Sequence, residues 1–236
     1  LRITRAEALV LGKLHNSRIL LLRLNRRHDS AIAEQAIADL AKLIDKAPSA
    51  DSLDALRGYE GQGARVYFRG LASLFAEPFR FEQRTIRPPK DPVNSMLSLG
   101  YTLLHHNLYS FVQALGLHTH FGHLHTPRKH HPALVMDLTE EFRAPIVDSF
   151  VAYLINSHVL KPEDFTPPDE RGGVYLYPDA LKVFLKHWED RLHTEVTHPH
   201  TGHKVPYRRC LELQVREHIA CLMGEQPIYR PMRWKL

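Results

Sequence analysis

Glu60 constrains this chain more than any other residue. From Asp51 to about Phe75 the apolar positions Leu53, Leu56, Gly63, Tyr67 and Leu71 recur at helical spacing, and Glu60 falls on the same stripe. A carboxylate there needs a partner, because charged side chains are rarely buried unpaired. Gly58, Gly61 and Gly63 stand around it, and each costs about 1 kcal/mol relative to alanine in a helix interior. Close backbone approach is the usual reason to accept that cost. Two readings follow: a structural glutamate paired with Arg57 or Arg65, or a carboxylate poised for a metal ion.

The stretch from Gly116 to Arg143 offers the other ligands. It holds His118, His120, His123 and His125, then a basic turn with Arg128 and Lys129, then an apolar run ending in Asp137-Leu-Thr-Glu140-Glu. No compact motif such as H-E-x-x-H is present, and no cysteine lies near enough for a structural zinc site. His130 and His131 sit in the basic turn and read as incidental. Asp137 and Glu140 also fit a capping box, with Asp137 as N-cap and Glu140 at the third helical position. Cap and ligand both remain open on the residues alone.

The rest of the chain reads as helices joined by basic connections. Residues 3–25 form an amphipathic helix, although the run Ile19–Leu22 is equally compatible with a strand. Ser30 caps a second helix with the stripe Ile32, Ala36, Leu40, Leu43 and Ala47. Arg84, Arg87 and Lys90 alternate with Pro88, Pro89 and Pro92 in a stiff linker, which is either a solvated loop or a set of phosphate contacts. Asn94 caps the next helix and Gly116 stops it. Helices follow over 145–158, 177–192 and 208–223, with HPHTGHKVPYRR as a basic connection and the tail YRPMRWKL as peripheral. The expectation is an all-α fold, one multi-helix domain over 1–236.

Composition narrows the classes. Of 236 residues, 31 are basic and 26 acidic, a net charge of +5 with histidines neutral, which suits an anionic partner without demanding one. No uncharged apolar run approaches the roughly 20 residues that span a bilayer. Cys210 and Cys221 share one helix, about 16 Å apart, beyond disulfide reach. A cytoplasmic setting and no membrane association are therefore expected.

Four blocks occur in order: LRGYEGQGARVYF around Glu60, RPPKDPVNSMLSLGYTLL, GLHTHFGHLH ending at His125, and PALVMDLTEEFR containing Asp137 and Glu140. Together they resemble the CRISPR-associated adaptation integrases, the Cas-one family. The resemblance implies that Glu60, His125 and Glu140 are catalytic and bind a divalent metal, Mg2+ or Mn2+, with Asp137 as an additional active-site residue. It implies a prokaryotic DNA endonuclease and integrase that inserts short double-stranded fragments into CRISPR repeat DNA. The implied partner is the small protein Cas-two, with a homodimer in the full-length protein and a fused reverse transcriptase in some members. Arg84, Arg87, Lys90, Arg128 and Lys129 are the expected DNA contacts. The family's N-terminal β-rich domain is expected to be missing from this chain, a segment of a longer protein. His118 and Thr119 depart from the family's usual Asp-Pro. The competing classes are a non-catalytic helical DNA-binding scaffold and a metal hydrolase of small substrates.

Overall fold

The fold is organised around its first helix, α1 (Arg2–His28), in a computed structural model that describes residues 2–127 and 131–235. Ala6, Leu9, Val10, Leu14, Leu20 and Leu21 of α1 are buried, so the Ile19–Leu22 run is helical. Helix α2 (Ala31–Lys46) starts where Ser30 Oγ accepts the Ala33 amide, the cap its sequence calls for. Helix α3 (Leu53–Ala72) is capped by Ser52 in the same way. These three pack on one another. Gly63 sits in the α1–α3 seam, where a Cβ would lie 2.1 Å from Leu14 Cδ2. Gly58 and Gly61 face open space instead, so close packing accounts for only one of the three glycines.

Helix α4 (Pro92–Ala114) begins one turn earlier than expected. Asp91 is the cap and accepts the Asn94 amide at 2.8 Å, while Pro92 occupies the first helical position. Asn94 itself is buried and binds the preceding loop through Gln83 O. Gly116, at φ +79°, ends the segment.

Helix α5 (Ala133–Thr139) runs into one tight turn (Glu140–Phe142) and one wide turn (Arg143–Asp148) before α6 (Ser149–Asn156). Pro145 explains the irregularity. It has no amide to give the Glu141 carbonyl four residues back, and that carbonyl instead accepts from Asn16 Nδ2 of α1 at 2.7 Å.

Helix α7 (Pro178–His193) and helix α8 (Tyr207–Met223) flank a hairpin of β1 (Glu195–Thr197) and β2 (Lys204–Pro206). The strands are antiparallel, with Val196 opposite Val205. The all-α expectation is therefore corrected. The connection read as a plain basic loop is a small sheet, because Val196 and Val205 pair while Gly202, at φ +73°, supplies the left-handed turn residue. The tail is not peripheral either: Tyr229 and Met232 are buried, and Trp234 Nε1 donates to Tyr207 at 3.0 Å. Both cysteines are buried and free on α8. Among the described residues no helix is long and apolar enough to cross a membrane.

Candidate functional site

The histidine loop after α4 is held by one buried carboxylate. Asp137 of α5 is fully buried. Its Oδ2 accepts the amides of His123 and Leu124, and its Oδ1 accepts the amide of His125 at 3.0 Å. Oδ1 also lies 2.7 Å from His125 Nδ1. Gly122 permits this approach, since a Cβ there would meet Asp137 Oδ2 at 2.7 Å and the Ala133 carbonyl carbon at 2.8 Å. From α3, Arg57 donates twice to the Leu124 carbonyl, at 2.9 and 2.7 Å, and to Thr126 Oγ1 at 3.0 Å. Asp137 lies inside α5 rather than at its start, so the capping-box reading of Asp137 and Glu140 is corrected.

This hold determines the chemistry of His125. A carboxylate on Nδ1 fixes that nitrogen as the donor and leaves Nε2 with the lone pair a metal ion requires. Burial disfavours the charged ring, but the Asp137 hydrogen bond and the Glu140, Asp137 and Glu60 charges outweigh it and raise the His125 pKa.

Glu60 and Glu140 converge on one ammonium. Lys13 of α1, itself largely buried, is ion-paired to Glu60 Oε1 and to Glu140 Oε2, the latter at 2.5 Å. Glu60 keeps 24% of its side chain exposed, whereas Glu140 keeps 4%. The partner of Glu60 is thus Lys13, not Arg57 or Arg65. Burial pushes the Glu140 carboxyl up, but Lys13 and Arg143 dominate and bring its pKa down to about 2. Lys13 sits on Glu140 Oε2 and Arg143 on Oε1, so another cation reaches Oε2 only by sharing it with Lys13 or displacing it.

Beneath Glu140 runs a support. Arg143 Nη1 donates to Glu140 Oε1 at 3.1 Å, and the guanidinium carbon Cζ lies 4.1 Å over the centre of the Tyr101 ring. Tyr101 and Tyr67 both donate their hydroxyls to Asp148, at 2.5 and 2.6 Å. Burial raises the Asp148 pKa even against these two hydroxyls.

Two clefts of about 470 Å3 each share Arg84, Ile86 and Arg143 as a wall. One exposes Glu140 and Arg87; the other exposes Lys13, Glu60, Arg65 and Arg69. Of the expected DNA contacts, Arg87 and Lys90 are exposed. Arg84 turns inward and donates to Asn94 Oδ1 and Ser98 Oγ, each at 2.9 Å. Arg128 and Lys129 lie outside the described residues. His118 stacks on exposed Phe121, their ring centres 4.5 Å apart.

Among the described residues no three His, Cys, Asp or Glu side chains are already gathered around a single point. By its chemistry the donor set could hold a divalent ion. Its two carboxylates already share a cation, and the third donor is an imidazole with its tautomer fixed. Lys13, Arg143 and Asp148 have no role in the sequence-based expectation, and Arg57 enters it only as a possible partner of Glu60, not as the clamp on Leu124. Lys13 carries only a weak signal, a charge on the inward face of α1 beside the buried polar residues Asn16 and Ser17.

Residues 1–190 match the family described as CRISPR associated protein Cas1. The chain belongs to this family. It is 39% identical over 230 residues to the CRISPR-associated endonuclease Cas1 3 of Thermus thermophilus, covering 98% of this chain and 66% of that protein. It is 34% identical over 242 residues to the CRISPR-associated endonuclease Cas1 of Leptospira interrogans, covering 99% of this chain and 94% of that protein. A solved Cas6-RT-Cas1--Cas2 complex superimposes with a TM-score of 0.84 at 28% identity, over 99% of this chain and 25% of that one. This chain thus spans just under two thirds of the Thermus relative and nearly all of the Leptospira one. The Leptospira match leaves little of that protein unaligned, which overturns the expectation that an N-terminal β-rich domain is plainly missing from this chain.

Proposed function

We propose that this chain carries the active site of a metal-dependent DNA endonuclease and integrase of CRISPR adaptation. Its reaction is the insertion of short DNA fragments into a repeat array by attack of a 3′ hydroxyl on a phosphodiester. The observation that carries this reading is the convergence of Glu60 and Glu140 on one cation beside a basic cleft, with His125 oriented by Asp137.

Glu60, Glu140 and His125 Nε2 would hold the ion, and two carboxylates with one imidazole suit magnesium or manganese better than zinc. When bound, such an ion polarises the scissile phosphate and stabilises charge on the leaving oxygen. The chain's own residues prepare the ground. Asp137 keeps the proton on His125 Nδ1 and the ring in place. Arg143 anchors Glu140 from behind, through Tyr101 and Asp148. Arg87 and Lys90 line the approach as phosphate contacts, which position the duplex without reading its sequence.

The names of the relatives support the nuclease and the CRISPR setting, and the complex with Cas2 supports a Cas2 partner. A homodimer in the full-length protein and a prokaryotic cytoplasmic location belong to the same proposal. The test is an integration assay with a labelled DNA fragment, a repeat-bearing plasmid and the full-length protein with Cas2. Labelled product that requires manganese and disappears in Glu60→Gln supports the reading. DNA binding without metal-dependent product would instead leave the carboxylates as structural partners of Lys13 in a DNA-binding scaffold.

A further inference from the structure

Among the described residues, Lys13 is the one cation ion-paired to both candidate ligand carboxylates. Its ammonium is ion-paired to Glu60 Oε1 and Glu140 Oε2, and it comes from α1, whereas the carboxylates come from α3 and the turn after α5. Two carboxylates this close repel each other unless a cation separates them. Arg143 neutralises part of Glu140 through Oε1, but Lys13 is the cation shared by both. A dication bound to the same oxygens would repel the ammonium in turn. Lysine is suited to yield: a point charge on a flexible four-carbon stem, without the fixed fork that locks an arginine to its partner. Space to yield into is present, because Lys13 lines a cleft of about 470 Å3 together with Ala64, Arg65 and Phe68.

We propose that Lys13 is an exchangeable internal cation, which holds Glu60 and Glu140 together in the metal-free protein and gives both up when a divalent ion binds. The inference rests on the proposed site. It adds that the ligand oxygens are preorganised by a residue of the chain, and that metal uptake competes with that residue. The site is then stable without metal and admits an ion only at a concentration sufficient to displace the lysine.

The test is Lys13→Met, which keeps the length and the apolar stem but removes the charge. Without metal, the variant leaves two facing carboxylates without their shared cation, and its melting temperature should fall by roughly 5 °C or more relative to wild type. Saturating manganese chloride should close that gap. Titration calorimetry with manganese chloride should show tighter binding to the variant, by about tenfold. If Lys13→Met does not fold without metal, recovery of its helical circular dichroism on adding manganese chloride gives the same support. A deficit that persists at saturating manganese, a failure to recover, or weaker manganese binding makes Lys13 a permanent structural residue and overturns the inference. Glu140→Gln separates this from the site itself. Unaltered manganese binding there puts the ion elsewhere and removes both readings, whereas binding lost in Glu140→Gln but weakened in Lys13→Met removes only the exchange.

Discussion

Replacing Asp137 with asparagine distinguishes an organising carboxylate from a metal ligand. Asp137 Oδ2 serves the amides of His123 and Leu124, and Oδ1 serves the amide and ring of His125. An asparagine side chain has one oxygen. Turned one way, its amino group faces the His123 and Leu124 amides; turned the other, it faces the His125 amide and a ring that can accept at Nδ1 only by moving its proton to Nε2, the nitrogen needed for metal. Two charge-assisted hydrogen bonds worth about 1.5–3 kcal/mol each are then lost, in a side chain with no access to solvent. Partial rehydration of the loop recovers some of this, so the expected destabilisation is about 3 kcal/mol, or roughly 6–12 °C in melting temperature for a domain of this size. The assay is a thermal melt of the metal-free protein in chelator, paired with amide hydrogen exchange at residues 123–125. Those amides should lose protection first, and manganese affinity should fall about 10–100-fold as His125 loses its orientation. An unchanged melting temperature with manganese binding abolished would refute the reasoning and make Asp137 a direct ligand.

Gly63→Ala should destabilise by about 1–2 kcal/mol, overpacking against Leu14 outweighing the gain in helix propensity, whereas Gly61→Ala should stabilise by up to about 1 kcal/mol; chemical denaturation checks both. Arg87→Ala with Lys90→Ala should flatten the log–log salt dependence of duplex binding by up to about 0.9 per residue, while Arg84→Ala should mainly lower the melting temperature. Glu141 gives a pH dependence: burial raises its carboxyl from 4.5 to about 7, so the folded protein keeps a proton that the unfolded chain releases. Metal-free stability from this group is therefore full below pH 4.5 and lost as the pH rises through 7, a loss of roughly 3 kcal/mol that Glu141→Gln should abolish in melts across that range. Glu140 acts oppositely, its contribution being full above pH 4.5 and lost as the pH falls toward about 2.

The helices were legible where one face is apolar and a cap residue precedes it, as with Ser30 before α2 and Gly116 after α4. The hairpin at 195–206 was not, because each strand is three residues long and carries a single inward valine. Pro145 marks the distortion after α5 in the sequence, but the partner that takes up the freed Glu141 carbonyl, Asn16, lies 125 residues away, a separation that no local pattern spans. The buried tail escaped notice because the groups that hold it, Asn16, Tyr207 and Glu141, come from three distant elements. Glu60 stands out because it is polar where the pattern is apolar, whereas His125, Asp137 and Glu140 are singled out by the resemblance to the family's blocks, since the pattern alone leaves four histidines and a capping box open. Asp148 is also polar where the pattern is apolar, but it lies inside a run that otherwise reads as an ordinary helix. Lys13 was concealed by the length of its stem, which packs like an apolar residue and delivers its charge at the far end.

The most direct measurement is anomalous diffraction at the manganese edge from crystals of the full-length protein grown with manganese. The account predicts a peak within coordination distance of the Glu60 and Glu140 carboxylates and of His125 Nε2, with Asp137 still bound to His125 Nδ1. No peak there, or a peak coordinated by Asp137 in place of His125, would contradict it.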